Sequence, residues 1–262
     1  MSRPMGVLPA GVSIADVYSP ANRARVAVWT WKPAWPGPHP LLVLLHGVND
    51  AAGHNWFLKA RVHDIASRIL DVSPTDQPVI IAPSDTGILH GSAWADWSDG
   101  SAKAETWLMQ ELLSWADVTF PLDGRRWITG LSMGGYAALT LALRHPMAFS
   151  SATAMSGYFR PDQLYVFVDD DSRRRIWAGE AAELEHDPTH LVLDANRRAG
   201  LQIAFGCGTA DSVIESNRAF ARHLHRHHIA HLYEETQGGH DWSYWSGQLP
   251  RHLKFHVAGT WA

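Results

Sequence analysis

Residues 130 to 134 read Gly-Leu-Ser-Met-Gly, within the stretch ITGLSMGGYAALTLALRHP from Ile128 to Pro146. A serine hydroxyl attacks an electrophilic carbon only when a base takes its proton and hydrogen-bond donors receive the charge that develops on the oxygen beyond. Small residues on both sides of Ser132 suit a chain that turns sharply from strand into helix. Such a turn lifts the hydroxyl above the sheet and leaves the Met133 N–H at a helix N-terminus, where the dipole favours negative charge. The pentapeptide alone is a common string, but here RRWITG, which reads as a strand, precedes it and MGGYAALTLALR, rich in helix formers, follows.

The base should lie further along the chain. GGHDWSYW places His240 just after the last predicted strand, in a glycine turn able to swing an imidazole over the sheet edge. An acid must orient that ring and stabilise its cation. Asp211 follows the predicted strand LQIAFGCG and is favoured on loop position; Glu215, a helical turn further on, is its rival. Asp194 comes too early and Asp241 stands too close to the base. The order Ser132, Asp211, His240 is that of α/β-hydrolases. A second oxyanion donor is expected after the strand LLVLLHG, where Gly47 lets the loop approach the substrate and the Val48 N–H would join that of Met133. His46 is read as a residue holding this loop rather than as a base.

These residues need elements to bring them together. VSIADVYS and RARVAVWTW alternate in the strand manner around the turn SPAN and predict an antiparallel hairpin at the sheet edge. LLVLLHG from Leu41 is a continuous apolar run suited to a strand buried on both faces, and PVIIAPSD from Pro78 reads as the next. Helical spacing covers Phe57 to Leu70, Glu105 to Trp115, Met133 to Arg144 and about Val213 to His228. Further strands are expected at Arg125 to Gly130, Ser150 to Gly157, Leu201 to Gly208 and His231 to Gln237. Alternation of this kind predicts an α/β fold with a mostly parallel sheet and helices on both faces, with ligands beyond the carboxyl ends of the strands. One domain over residues 1–262 is expected. Residues 158–199 break the rhythm and read as a short cap or a surface excursion.

The chain has 262 residues, a formal net charge of -4 and one cysteine, Cys207. It offers no basic field for a phosphate backbone, so no nucleic-acid partner is expected and a small or neutral ligand fits better. No apolar run approaches membrane-spanning length, and the first residues lack the apolar stretch of a signal peptide, so a cytoplasmic protein is expected, with no membrane partner. The histidines of RHLHRHHIAH lack the carboxylate of a zincin motif, and the run Asp169 to Asp171 lacks the glycine and distal glutamate of a calcium loop; neither a metal nor a cofactor is expected. Cys207 reads as a small core residue. Of 13 tryptophans, Trp56, Trp94, Trp97 and Trp242 are candidates for pocket walls. Self-association is left open.

The hairpin SPANRARVAVW, LLVLLHGVNDAAGHNW, IIAPSD, ITGLSMGGYAALTLALRHP, CGTADSVIESNRAF and GGHDWSYW together resemble the esterase D family of α/β-hydrolases, from about Tyr18 to Trp245. That family includes S-formylglutathione hydrolases, short-chain and feruloyl esterases, and mycolyltransferases. The resemblance implies an α/β-hydrolase fold, Ser132, Asp211 and His240 as catalytic triad, and Val48 with Met133 at the oxyanion positions. It is similar above all to tributyrin-type carboxylesterases, which implies a serine carboxylesterase acting on small-molecule esters of short acyl chains. The cysteine-bearing loop typical of S-formylglutathione hydrolases is missing after His46-Gly47. A thioesterase or acyltransferase with the same triad is the alternative, and a non-catalytic binding protein on the same fold is a more distant one.

Overall fold

The computed structural model describes residues 8–48, 53–69, 74–85, 91–164 and 174–261. The hairpin forms as expected, β1 (Val12–Ser19) against β2 (Ala24–Trp31), and β1 is the edge of an eight-stranded sheet. β3 (His39–Leu45) is buried throughout and lies at the centre. Its alternate residues serve two cores: Leu41, Val43 and Leu45 face one, Leu42 and Leu44 the other. This is why the strand reads as unbroken apolar sequence rather than as an alternation.

The helix expected over Phe57 to Leu70 is broken in two. α1 (His54–Leu58) and α2 (Val62–Ile69) are separated at Arg61, whose φ of 51° no helix accommodates. β4 (Val79–Pro83) pairs parallel with β3 and antiparallel with β2. α3 (104–119) is one continuous helical stretch with a π-helical part at Trp107–Leu112. β5 (Leu122–Leu131) begins three residues before the expected start. It leads through Ser132 into α4 (Met133–Arg144), which ends where Pro146 would stop it. β6 (Ser151–Met155) follows.

Residues 174–199 include the short helices α5 (Glu180–Leu184) and α6 (Pro188–Leu191), and bury Ile176, Trp177, Leu191 and Val192 in the main core. The run Asp169 to Asp171 lies outside the described residues. β7 (Gln202–Gly208), α7 (Ile214–Arg226) and β8 (Leu232–Thr236) complete the sheet, in the order β1-β2-β4-β3-β5-β6-β7-β8, parallel from β4 to β8. A last helix, α8 (Trp242–Ala258), was not read from the sequence. Its Pro250 interrupts the pattern of good helix formers, and the helix is instead held by packing Tyr244, Trp245, Leu249 and Leu253 into the second core, beside Trp56, Phe57 and Val62. Helices α3, α4 and α7 cover one face of the sheet, and α1, α2 and α8 the other. Among the described residues no helix is long and apolar enough to cross a membrane.

Candidate active site

Ser132 sits at the carboxyl end of β5 with φ 56° and ψ -122°, a backbone state that non-glycine residues rarely adopt and that costs about 1–3 kcal/mol. The surroundings hold it there. Its N–H donates to the Met155 carbonyl at 2.9 Å, and its own carbonyl accepts from the N–H groups of Gly135 (3.0 Å) and Tyr136 (3.1 Å). The neighbouring glycines are needed for room: a Cβ on Gly130 would collide with the Gly134 carbonyl, and one on Gly134 with the Leu45 carbonyl of β3. The turn inferred from small residues is therefore a close three-way approach of β3, β5 and α4.

Three residues distant in sequence converge here. His240 Nε2 lies 3.0 Å from Ser132 Oγ, while His240 Nδ1 lies 2.9 and 3.0 Å from the two carboxylate oxygens of Asp211. Asp211 is buried and His240 half-buried. The loops that carry them are tied together, since the Thr209 and Ala210 N–H groups donate to the carbonyls of Thr236 and Gly238. Burial opposes charge on Asp211, but hydrogen bonds from His240, the Val213 N–H (3.0 Å) and Ser156 outweigh it and hold the carboxyl below its ordinary value. Glu215, the rival acid, is elsewhere: its side chain is 71% exposed and paired with Arg218 at 2.7 Å.

Gly47 and Val48 lie on the other side of the serine. A Cβ on Gly47 would come within 3.0 Å of Ser132 Cβ and 3.4 Å of its Oγ, so only glycine lets this backbone lie against the hydroxyl without displacing it. Met133 is the first residue of α4, so its N–H has no carbonyl one turn behind to receive it. His46 fixes the loop. The Asp85 N–H donates to its Nε2 at 3.0 Å, which places the ring proton on Nδ1, donating to the Gly47 carbonyl at 2.9 Å. Trp94 tilts over the His46 ring and donates its indole N–H to the His46 carbonyl, and Trp97 donates to the Ser92 carbonyl. Both tryptophans are almost wholly buried, and Trp94 is the one that packs against this loop.

Trp56 is wholly buried and meets Trp242 edge-on at 5.5 Å; Trp242 meets Trp245 likewise at 5.4 Å, and Trp245 meets the His240 ring at 5.1 Å. Tryptophans thus support two parts of the site, Trp94 the loop after β3 and the Trp56-Trp242-Trp245 series the imidazole. Sequence reasoning missed three residues at this centre. Ser156, with φ 51°, accepts the Trp245 indole N–H at 3.0 Å and hydrogen-bonds Asp211. Trp245 is the ring against His240. The Tyr158 hydroxyl stands 3.1 Å from Ser132 Oγ. The available signal was position: Ser156 and Tyr158 follow the carboxyl end of β6, the strand beside the serine's own.

Among the described residues no cluster of histidine, cysteine and carboxylate side chains could hold a metal ion. The arrangement can move a proton from Ser132 to His240 and hold the resulting cation against Asp211, which is the chemistry of acyl transfer.

An eight-stranded sheet with an antiparallel hairpin at its edge, and a serine on a strained strand-to-helix turn, define an α/β-hydrolase. The chain belongs to the esterase family, whose model, described as "Putative esterase", matches residues 27–256, and it is an enzyme that hydrolyses carboxylic esters. It is 26% identical over 223 residues to an acetyl esterase of Caldicellulosiruptor saccharolyticus, covering 78% of each chain. Its structure is similar to that of a ferulic acid esterase, with TM-score 0.82, 25% identity and coverage of 94% of this chain and 96% of that one. The fold is also shared with an S-formylglutathione hydrolase from Agrobacterium tumefaciens, with TM-score 0.83, 20% identity and coverage of 98% and 99%.

Proposed function

We propose that this protein is a serine carboxylesterase that hydrolyses short-chain acyl esters through an acyl-enzyme on Ser132. The observation that carries the reading is the unbroken hydrogen-bonded chain from Ser132 through His240 to Asp211, built on the strained backbone of residue 132. His240 takes the hydroxyl proton as Oγ attacks the ester carbonyl, the Met133 and Val48 N–H groups receive the oxyanion, and His240 returns the proton to the departing alcohol. Water, deprotonated by the same imidazole, then releases the acid. The short-chain preference is supported by the resemblance to tributyrin-type esterases and by the relative named as an acetyl esterase.

The test is hydrolysis of p-nitrophenyl esters from acetyl to decanoyl, with a feruloyl ester and a thioester added. The expected result is a burst followed by a steady rate that is fastest for the acetyl and butyryl esters. Ser132→Ala should lower kcat by about 10³-fold or more. A variant retaining a tenth of the activity would overturn the nucleophile, and an optimum at decanoyl or at the thioester would overturn the substrate class.

A further inference from the structure

The mechanism above leaves one polar group against Ser132 unused. Tyr158 is 2% exposed, and its hydroxyl lies 3.1 Å from Ser132 Oγ. Counting protons decides which of the two donates. In the neutral imidazole Nδ1 faces both oxygens of Asp211 and must carry the ring hydrogen, so Nε2 is bare and receives the hydrogen of Ser132. The serine has no other to give. Tyr158 therefore donates and Ser132 Oγ accepts. Burial, reinforced by the charge on Asp211 and only partly offset by the bond to Ser132, pushes the phenol up to about 12, so it remains a donor at any working pH.

Topology gives the side from which it acts. In the sheet β5 lies between β3 and β6, with β7 and β8 beyond β6. The Gly47-Val48 loop leaves β3 on one flank of the serine; Tyr158 follows β6 on the other, its ring 6.5 Å from that of His240. The carbonyl oxygen of a bound ester would turn to the first flank, toward Met133 and Val48. Ser132 Oγ itself faces the second.

We propose that Tyr158 is a further catalytic residue, donating a hydrogen bond that stabilises Ser132 Oγ whenever that oxygen carries negative charge, above all when it is expelled from the acyl-enzyme. The proposal rests on Ser132 being the nucleophile. In deacylation water attacks the acyl carbon and gives a proton to His240; the tetrahedral intermediate then collapses, the carbon–Oγ bond breaks with its electron pair passing to Oγ, and His240 returns the proton there. Tyr158 keeps its own proton throughout. Its effect differs between the two halves of the cycle because of what Oγ is at the start of each. In the resting enzyme Oγ is already a good acceptor, so the bond stabilises the ground state as well and the gain partly cancels. In the acyl-enzyme Oγ is an ester oxygen, a poor acceptor, and the bond strengthens only as the oxygen departs. Interactions that strengthen toward the transition state are the ones that raise kcat.

The experiment compares wild type with Tyr158→Phe, following p-nitrophenyl acetate by stopped flow and the acyl-enzyme by intact mass, with fluorophosphonate labelling of Ser132 in both proteins. Labelling needs no breakdown step and should persist in the variant, showing a folded site. Deacylation should fall by about tenfold to a hundredfold, the range expected for a hydrogen bond to a charged oxygen, with acetyl-enzyme accumulating, while acylation falls less. A labelled variant that deacylates at the wild-type rate, or in which both steps slow equally, would overturn the proposal. A 3-fluorotyrosine at position 158 keeps the shape and donates more strongly; it should deacylate at least as fast as wild type, and slower deacylation would also overturn it. A wild-type protein whose Ser132 forms no adduct would instead remove the nucleophile, and is distinguished because no labelling occurs in either protein.

Discussion

At the scale of single residues, the proposed chemistry depends on where two hydrogens sit. Asp211 accepts from His240 Nδ1, Ser156 and the Val213 N–H, and this set both keeps the carboxylate ionised and fixes the imidazole tautomer. An amide at position 211 would offer its N–H₂ to Nδ1 and drive the ring proton to Nε2, where it would face Oγ and block transfer. Asp211→Asn is therefore expected to lower kcat/KM by about 10³- to 10⁴-fold. Glu215→Gln, at an exposed residue engaged with Arg218, should stay within about twofold, as surface changes away from a site do. Steady-state kinetics on p-nitrophenyl acetate checks both, and equal losses in the two variants would refute the assignment of the acid. These positions were legible because strand ends and glycines confine them: Ser132, Asp211, His240 and Gly47 each stand in a turn whose chemistry is local. Tyr158 and Ser156 were not, since nothing near either distinguishes a hydroxyl aimed at the serine from one buried in a strand end.

The elements show the same division between local and distant causes. The hairpin, the buried strands and α4 follow from patterns within about a dozen residues, whereas the break at Arg61 and the existence of α8 depend on what those segments pack against. His256 illustrates this. It lies on α8, yet its Nε2 meets Thr129 Oγ1 of β5 and its Nδ1 meets Ser151 Oγ of β6, each at 2.6 Å, and its ring stacks on Trp127 at 5.5 Å. Burial, with His252 nearby, drives its pKa well below the ordinary 6.5; burial and Arg251 bring His252 down to about 3. Both rings are thus neutral when folded but take up protons in the unfolded chain below about pH 6.5. The unfolded state then binds more protons, so stability is complete above pH 6.5 and declines as pH falls beneath it, by about 2 kcal/mol per histidine at pH 5. Carboxylates held below their ordinary range act only under about pH 4.5, outside this window. Urea denaturation between pH 7 and 5 should show the decline, to which His63 and His223, also lowered by burial, add, and His256→Asn should remove only its own share, about 2 kcal/mol at pH 5, whatever its effect at pH 7. An unchanged slope would mean that His256 is not titrating between the two states.

On the scale of the whole molecule, the question is how residues 174–199, which interrupt the alternation of strands and helices, are fastened to the sheet. Part of the answer is apolar, with Ile176, Trp177, Leu191 and Val192 in the main core. The other part is a buried carboxylate. Glu105, at the start of α3, receives Arg144 Nε from the end of α4 at 2.9 Å and His145 Nε2 at 2.7 Å, with His186 Nε2 at 3.5 Å from between α5 and α6. The Tyr136 hydroxyl of α4 donates to the His186 carbonyl as well. Burial opposes the charge on Glu105, yet its partners His145, His186 and Arg144 hold the carboxyl well below its ordinary value. No sequence pattern announces such a centre, because its four side chains come from three separate segments and each alone reads as a solvated charge. Removing the carboxylate would leave Arg144, 22% exposed at the side chain, without its main counter-ion. Glu105→Ala is therefore expected to cost about 2–3 kcal/mol at pH 7, less than the full penalty of a wholly buried pair because water reaches the guanidinium. Glu105→Gln should cost less, since the amide oxygen still accepts one bond. Because the folded carboxyl is depressed, its contribution is complete above about pH 4.5 and lost as pH falls further, so both variants should also show a shallower acid decline there. Guanidinium unfolding across pH 3 to 7 measures both effects. A loss under about 0.5 kcal/mol at pH 7 would show that apolar packing alone fastens residues 174–199, and that the carboxylate merely accompanies it.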